Sequence, residues 1–292
     1  MAIPALEPRE RRLLEGLRLN PRKQFAGSVR GERMTARKGL SIEFADYREY
    51  SDGDDLRHLD WNVLARLESP VMKTYRDEQD LAIYLLVDAS ASMDFGKPSK
   101  FEEARKLAAA FASVALGGGD AVYAISLGEK KRPIAPCRGR SSYHRLTQWL
   151  SSLEPSGERE LAAELRAFAS TNARPGLVIL LSDGMDPEAP RSLKALSARG
   201  HEVLFANILS AVEMDPDLEG DLRLVDSEGP SAVEITANSY ALKEYRVRLN
   251  RHLDELREAT RRGGGRYALY STSEGLETFF NGPMRRDAWV TT

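Results

Sequence analysis

The sequence is poor in the residues that support disulfide or thiolate chemistry. Cys137 is the single cysteine, so an intramolecular disulfide and a metal site built from several thiolates are both excluded. It lies between Pro136 and Arg138 with no base nearby in the chain, and we expect it to be inert. The four histidines are scattered, and no two of them have the spacing of paired metal ligands.

Long apolar stretches are missing as well. No window approaches the roughly 20 apolar residues that a membrane span requires, and residues 1–30 lack the apolar segment of a signal peptide. A net charge of -2 argues against a protein that binds nucleic acid or a membrane over its whole surface. These absences predict a cytoplasmic protein with no membrane span and no nucleic acid partner.

Positive charge is nevertheless concentrated at one end of the chain. Residues 1–40 hold ten Lys or Arg against four Asp or Glu. We interpret this segment as a solvated arm, and a basic surface for an acidic partner is the alternative.

The most informative stretch begins at Leu81. Seven apolar residues, Leu81 to Val87, predict a strand buried on both faces of a parallel sheet. Asp88, Ser90 and Ser92 follow at alternate positions. Ligands of open α/β sheets bind beyond the carboxyl ends of the strands, and carboxylate and hydroxyl oxygens suit a hard cation such as Mg²⁺. The alternative is that these side chains only cap the loop by accepting backbone N–H groups.

A second acidic group follows another buried strand. Leu177 to Leu181 is apolar throughout, and Ser182-Asp183-Gly184 comes directly after it. If the two strands are neighbours, Asp88 and Asp183 meet at one edge of the sheet. Asp183 before Gly184 is also consistent with a simple turn residue.

The rest of the chain alternates strands and helices as far as Phe280. Ser99 and Glu102 form a capping box that opens the helix after the Asp88 loop, and apolar periodicity predicts a long helix from Asn238 or Ser239. The chain is therefore predicted to be an α/β protein with a doubly wound, mostly parallel sheet. We divide it into an N-terminal extension of irregular and β structure, residues 1–78, and a domain at residues 79–292.

Residues 39–66 mix aromatic and charged side chains too closely for a plain linker. We expect either an ion-pair network that holds an irregular segment, or a cover over the Asp88 loop that forms part of a binding site. Trp61 is expected in the core. The charged candidates for binding a partner or covering the site, one of them from a later loop, are Arg48, Asp54, Asp55, Arg57, Asp60 and Arg159.

These motifs together resemble a known family. Asp88-Ala89-Ser90-Ala91-Ser92-Met93 is similar to the DxSxS pattern of von Willebrand factor A-type domains. Other residues resemble more closely the bacterial family called domain of unknown function 58, and they span nearly the whole chain. They are Gly39 to Phe44, Arg48 to Tyr50, Gly53 to Asp55, Arg57, Asp60-Trp61, Ala65-Arg66, Gly220 to Leu222 and Asp226.

The resemblance implies a von Willebrand factor A-like fold with a metal-ion-dependent adhesion site. In that site, a carboxylate of the bound partner takes the open position on the metal. Relatives often accompany MoxR-type AAA ATPases. The resemblance therefore implies that the partner is such an ATPase or its client. It also implies a role in assembly or maturation of protein complexes. The counterparts of the residues that hold Mg²⁺ or Mn²⁺, directly or through water, are Asp88, Ser90, Ser92 and Asp183.

One departure from the family concerns the metal. A threonine usually completes the site, whereas Arg159 stands at its place in this chain. A guanidinium cannot ligate a cation, and it would instead pair with a carboxylate such as Asp88 or Asp183. Glu158 or Glu160 is a substitute oxygen donor, so binding of Mg²⁺ or Mn²⁺ is left open.

Two functions follow from the same residues. The main expectation is a non-catalytic protein-interaction module with a degenerate adhesion site. The alternative is a metal-dependent hydrolase or phosphotransferase that uses Asp88 and Asp183. The sequence contains no G-x-S-x-G elbow, H-E-x-x-H helix or P-loop, and it names no base for Ser90 as a nucleophile.

Overall fold

A computed structural model gives the fold of two compact units. Residues 1–23 belong with residues 82–292 in the larger unit, and residues 24–81 form the smaller one. The placement of the first 23 residues with the larger unit was not expected, and the predicted domain boundary after residue 78 stays a prediction. The described residues are 6–23, 25, 43–51, 59–67, 70–76, 80–128, 134–155, 160–225 and 232–292.

The described residues form strands and short or long helices in alternation. The strands are β1 (Arg18–Leu19), β2 (Glu43–Glu49), β3 (Val71–Arg76), β4 (Ala82–Asp88), β5 (Ala121–Leu127), β6 (Cys137–Arg138), β7 (Leu177–Ser182), β8 (Glu202–Leu209), β9 (Gly220–Val225), β10 (Ala232–Ala237), β11 (Arg266–Ser271) and β12 (Val290–Thr291). The helices are α1 (Pro8–Leu14), α2 (Trp61–Leu67), α3 (Lys100–Gly117), α4 (Tyr143–Ser151), α5 (Leu161–Ala169), α6 (Ala189–Ala198), α7 (Ala211–Met214), α8 (Ser239–Arg262) and α9 (Gly275–Phe279).

A six-stranded sheet forms the centre of the larger unit. Its order is β6-β5-β4-β7-β8-β11, and every pair is parallel except β5 with β6. Numbered along the chain, this is the order 3-2-1-4-5-6 of doubly wound α/β sheets. The predicted mostly parallel sheet in an α/β protein is therefore confirmed.

The central strands are apolar because helices cover both faces of the sheet. Successive side chains of a strand point to opposite faces. Tyr84 and Leu86 of β4 belong to a hydrophobic cluster with residues of α5, α6 and α8, while Ile83 and Leu85, which alternate with them in sequence, are fully buried as well. Helix α3 contacts β4, β5, β7 and β8. A continuous apolar run, rather than alternation, is what such two-sided burial requires.

The two long helices begin where the sequence predicts. In α3, the Ser99 side chain accepts from Glu102 N while the Glu102 side chain accepts from Ser99 N, so the capping box is complete. In α8, the Asn238 side chain accepts the N–H of Ala241. Among the described residues, no helix combines the length and apolar character needed to cross a bilayer.

The smaller unit contains an antiparallel pair, β2 with β3, and helix α2. The buried Asp60 carboxylate accepts the N–H groups of Asn62 and Val63, which caps the start of α2. Trp61 is 61% exposed at the first position of that helix, so its expected place in the core is wrong. Its position beside the cap directs the ring outward, which the mixed composition of the segment did not reveal.

Candidate functional site

The candidate site lies where the strand order of the sheet reverses. Strands β4 and β7 are parallel neighbours, and the chain leaves them toward opposite sides of the sheet. Asp88 ends β4, and Ser182 ends β7 with Asp183 directly after it. Open α/β sheets bind ligands at this switch point. The predicted proximity of the two acids at one edge is confirmed.

Asp88 is buried and receives protein donors on both carboxylate oxygens. The N–H of Ser90 donates to its Oδ1 at 3.0 Å, and the Ser182 hydroxyl donates to its Oδ2 at 2.5 Å. The hydroxyls of Ser90 and Ser92 are 3.0 Å apart and share a hydrogen bond. Burial, and then the nearby Asp183 carboxylate, raise the pKa of Asp88 to about 6. Asp88 therefore caps its loop, as one of the two interpretations predicted.

Asp183 is paired with a lysine that the sequence analysis did not select. Lys100 Nζ donates to Asp183 Oδ2 at 2.7 Å and to Glu213 Oε1 at 2.5 Å, and its residue is only 1% exposed. Burial opposes the charged form of Lys100, but the carboxylates of Asp183 and Glu213 raise its pKa above the ordinary value. We call Asp88, Ser90, Ser182, Asp183, Lys100 and Glu213 the rim cluster.

The position of Lys100 in its helix is unfavourable without these partners. It is the first residue of α3, directly after the Ser99 cap. The partial positive charge of a helix N-terminus disfavours a cation there. A lysine at this position beside an acidic strand end is thus a signal that a carboxylate lies opposite. The contacts join residues 83 and 113 positions apart, which sequence spacing does not reveal.

The loop that carries Asp183 is held by contacts behind it. Gly184 has a φ of +64°, and a Cβ atom there would lie 2.9 Å from the Phe205 ring, so glycine is required. The Asn207 amide donates to the Asp183 carbonyl at 2.6 Å, and His252 Nε2 lies 2.7 Å from the Gly184 carbonyl oxygen. These contacts with β8 and α8 therefore hold the loop that carries the carboxylate.

The donor set of the rim cluster does not match that of a divalent-metal site. Asp183 accepts the N–H of Met185 on Oδ1 and the Lys100 ammonium on Oδ2. A metal ligated by Asp183 would lie next to that ammonium. Unit charges about 4 Å apart repel by about 4 kcal/mol at an effective dielectric constant near 20, and a divalent ion doubles this. Within the described part of the chain, no group of three or more His, Cys, Asp or Glu is arranged to hold a metal.

The contacts of the rim serines offer no activated nucleophile. The Ser90 hydroxyl hydrogen-bonds the Ser92 hydroxyl and the Asp88 carboxylate, and the Ser182 hydroxyl is directed to Asp88. A serine nucleophile needs a base that in turn is held by a third group. Among the described residues, His252 lies at this edge, and its Nε2 is hydrogen-bonded to the Gly184 carbonyl. Chemistry of the Ser–His kind therefore has no support among these contacts.

Apolar side chains surround the rim cluster on the surface. Phe95, Met185 and Val212 are 49%, 36% and 52% exposed, and each follows the carboxyl end of one of three adjacent strands, β4, β7 and β8. The first and third loops touch, since a Cβ atom at Gly96 would lie 2.9 Å from Ser210 Cβ. Exposed apolar residues gathered over a buried polar cluster are typical of interaction surfaces.

The remaining predicted candidates lie elsewhere or outside the described residues. Arg48 lies in β2, opposite Met72 of β3, and Asp60 caps α2. Their roles in partner binding or site covering stay predictions. The candidates outside the described residues are Asp54, Asp55, Arg57 and Arg159.

Comparison with known proteins gives a family. The model of the family described as "Protein of unknown function DUF58" matches residues 46–257. The uncharacterized protein Mb1516 of Mycobacterium bovis is 31% identical over 230 residues, which cover 76% of this chain and 72% of the relative. The match therefore extends over both units.

Two solved structures show weaker similarity. The conserved hypothetical protein BatB from Bacteroides thetaiotaomicron gives a TM-score of 0.44 at 15% identity, covering 71% of this chain and 98% of that one. An aerotolerance-related membrane protein from Bacteroides fragilis gives 0.44 at 17% identity, covering 70% and 99%. Both TM-scores are too low to carry an inference about this chain.

Proposed function

This chain belongs to the DUF58 family of proteins of unknown function, and from that premise we propose that it is a non-catalytic protein-interaction module that docks through the edge around the rim cluster. The observation that carries the proposal is the set of exposed apolar residues Phe95, Met185 and Val212 above a buried, hydrogen-bonded cluster. Binding energy at protein interfaces is concentrated in such apolar anchors.

We further propose that the fold is of the von Willebrand factor A type with a degenerate adhesion site. The strand order 3-2-1-4-5-6 with an antiparallel third strand supports this, as does the Asp88-Ser90-Ser92 pattern at the switch point. The partner that fits the family resemblance is a MoxR-type AAA ATPase or its client, in assembly or maturation of protein complexes.

The rim surface can be tested by capture of a purified MoxR-type ATPase from the same organism. Met185→Ser removes an exposed apolar anchor and keeps the backbone N–H that Asp183 accepts. Phe95→Ser removes a second anchor together with the ring contact to the Lys100 ammonium. We expect each to weaken binding about 5-fold or more, because an apolar anchor contributes more than about 1 kcal/mol. Surface plasmon resonance on both variants measures the change.

The matched control is Val233→Ser on β10, where the valine is 60% exposed away from the central sheet. It should leave binding unchanged. Equal losses from all three variants, or none from the two rim variants, would reject this edge as the docking surface. Hydrolysis of phosphoesters that Asp88→Ala abolishes would instead support the metal-dependent enzyme that uses Asp88 and Asp183.

A further inference from the structure

We infer that Lys100 is the resident cation of the rim cluster, so that the ammonium group takes the part of a divalent ion and the edge docks its partner without a metal. The inference deepens the proposed docking function, and only its statement about the partner rests on that function. Which group neutralises the acids is a property of this protein alone.

The acids of the rim cluster are all satisfied by groups of this chain. Asp88, Asp183 and Glu213 are three acids at one edge, and Lys100 contacts two of them directly, at 2.7 and 2.5 Å. Buried carboxylates need a compensating cation or a set of hydrogen bonds. Asp183 and Glu213 receive theirs from Lys100, and Asp88 receives donors from Ser90 and Ser182. Each acid of the cluster is thus accounted for by this chain's own groups.

The Lys100 ammonium is held in place at the start of α3. Lys100 begins α3, and its N–H donates to the Phe95 carbonyl at 3.0 Å, which holds the start of the helix against the loop. Its side chain is 1% exposed. The lysine therefore does not swing out to solvent to make room for another cation without rearranging this loop.

A buried ammonium at the rim changes what a partner can contact. In a metal-dependent adhesion site, the open position of the ion accepts a carboxylate from outside. The buried Lys100 ammonium offers no such position, because the Phe95 loop and Glu213 cover it. Recognition then falls to the side chains that are exposed, which are the apolar residues Phe95, Met185 and Val212. The partner that fits is a protein segment with apolar anchors rather than one with a single metal-bridging acid.

The experiment is a titration of the intact chain with Mn²⁺, followed by calorimetry and by melting temperature with and without the ion. The wild-type protein should bind no Mn²⁺ at the rim and melt at an unchanged temperature in about 5 mM Mn²⁺, since a ligand stabilises only what it binds. Lys100→Met leaves Asp183 and Glu213 without their cation, next to the Asp88 carboxylate. This variant should melt lower than the wild type, and Mn²⁺ should raise its melting temperature.

The matched control is Lys97→Met, a neighbouring lysine on the exposed surface of the same loop. It should behave as the wild type in both measurements. Wild-type binding of Mn²⁺ that Asp88→Asn abolishes would overturn the inference, as would a Lys100→Met protein that is as stable as the wild type and indifferent to Mn²⁺. If Lys100→Met does not fold, the wild-type titration decides. No partner is needed, so failure here and failure of the proposed docking are distinguishable.

Discussion

The two ends of the central sheet each bury a lysine or arginine against a glutamate or aspartate, but they do so in different surroundings. At the carboxyl ends of the strands, Lys100 pairs with Asp183 and Glu213. At the amino ends, Arg266 pairs with Glu202 at 2.9 Å, with side chains 3% and 0% exposed. The difference lies in what each ion pair holds.

At the amino ends of the strands, Glu202 and Arg266 also bind backbone groups of residues near the two ends of the chain. Glu202 Oε2 accepts the N–H groups of Arg22 and Lys23 at 2.7 and 2.8 Å. Arg266 donates to the carbonyls of Asn20 and Ala288. We call these groups the terminal cluster. It fastens residues 20–23 and the C-terminal segment to the sheet, next to the β1–β12 pair.

At the carboxyl ends, the corresponding ion pair is overlaid by exposed apolar side chains instead of by chain termini. A buried ion pair is therefore not in itself evidence of a binding site. What distinguishes the rim cluster is its place at the switch point and the apolar surface above it. Variants at the two ends should therefore separate stability from binding.

The largest effect is expected at the terminal cluster. Arg266→Met leaves the Glu202 carboxylate buried without its cation, and removing one partner of a buried pair costs about 3–5 kcal/mol. We expect the free energy of unfolding in urea to fall by that amount. Binding of the proposed ATPase partner by the folded fraction should stay at the wild-type value, because the cluster lies at the opposite end of the strands.

The control for this variant is Arg262→Met. Arg262 pairs with Glu258 on the exposed face of α8, where an ion pair contributes about 0.5 kcal/mol or less. A loss below about 1 kcal/mol for Arg266→Met would contradict the structural role of the terminal cluster. If the folded variant also lost binding of the proposed ATPase partner, the two ends of the sheet would not differ in function.

A smaller loss of stability is expected at the rim, together with weaker binding, because Asp183 does not touch the partner but holds the start of the loop that presents Met185. Asp183→Asn keeps the acceptor for Met185 N but removes one of the two charges that face Lys100. A hydrogen bond to a charged group contributes about 1.5–3 kcal/mol, so the free energy of unfolding should fall within that range. Chemical denaturation and surface plasmon resonance measure the two effects.

Asp215→Asn is the matched control, since Asp215 pairs with Arg246 on the exposed surface. It should change the free energy of unfolding by less than about 0.5 kcal/mol and leave binding as it is. Unchanged stability in Asp183→Asn would show that Glu213 alone compensates Lys100. The rim cluster and the terminal cluster would then differ in how much their ion pairs contribute to stability, and not only in their surroundings.

The sequence predicts the rim better than it predicts the terminal cluster, because the signals for the rim lie next to one another in the chain. The apolar run from Leu81 to Val87 and the acid after it are contiguous, and parallel strands bring such ends to one edge. Glu202 and Arg266 each begin a strand 64 residues apart, and only the strand order makes them partners. Lys100 was missed for the same reason, although its position at a helix start is a local signal.

The smallest effect is a dependence of stability on pH that arises at the amino ends of the strands. His201 precedes β8, and its Nδ1 accepts the N–H of Gly176 at 3.3 Å. The rings of Tyr84 and Phe168 pack against it, and the Lys23 ammonium donates to its carbonyl. Burial lowers the pKa of His201 below 6.5, and the charge of Lys23 acts in the same direction.

The sign of this dependence follows from proton binding. Because the folded pKa is lowered, the unfolded chain binds the proton first as the pH falls through about 6.5. The contribution of neutral His201 is therefore complete above that pH and decreases below it, by at most about 1.4 kcal/mol per pH unit. His201→Gln keeps an acceptor for Gly176 N and removes the titration. The difference in free energy of unfolding between wild type and variant, measured in urea from about pH 8 to pH 5, should thus change only below about pH 7. A difference that stays constant over this range would show that His201 is not held neutral in the folded protein, and that the packing around it at the amino ends of the strands is looser than the structure indicates.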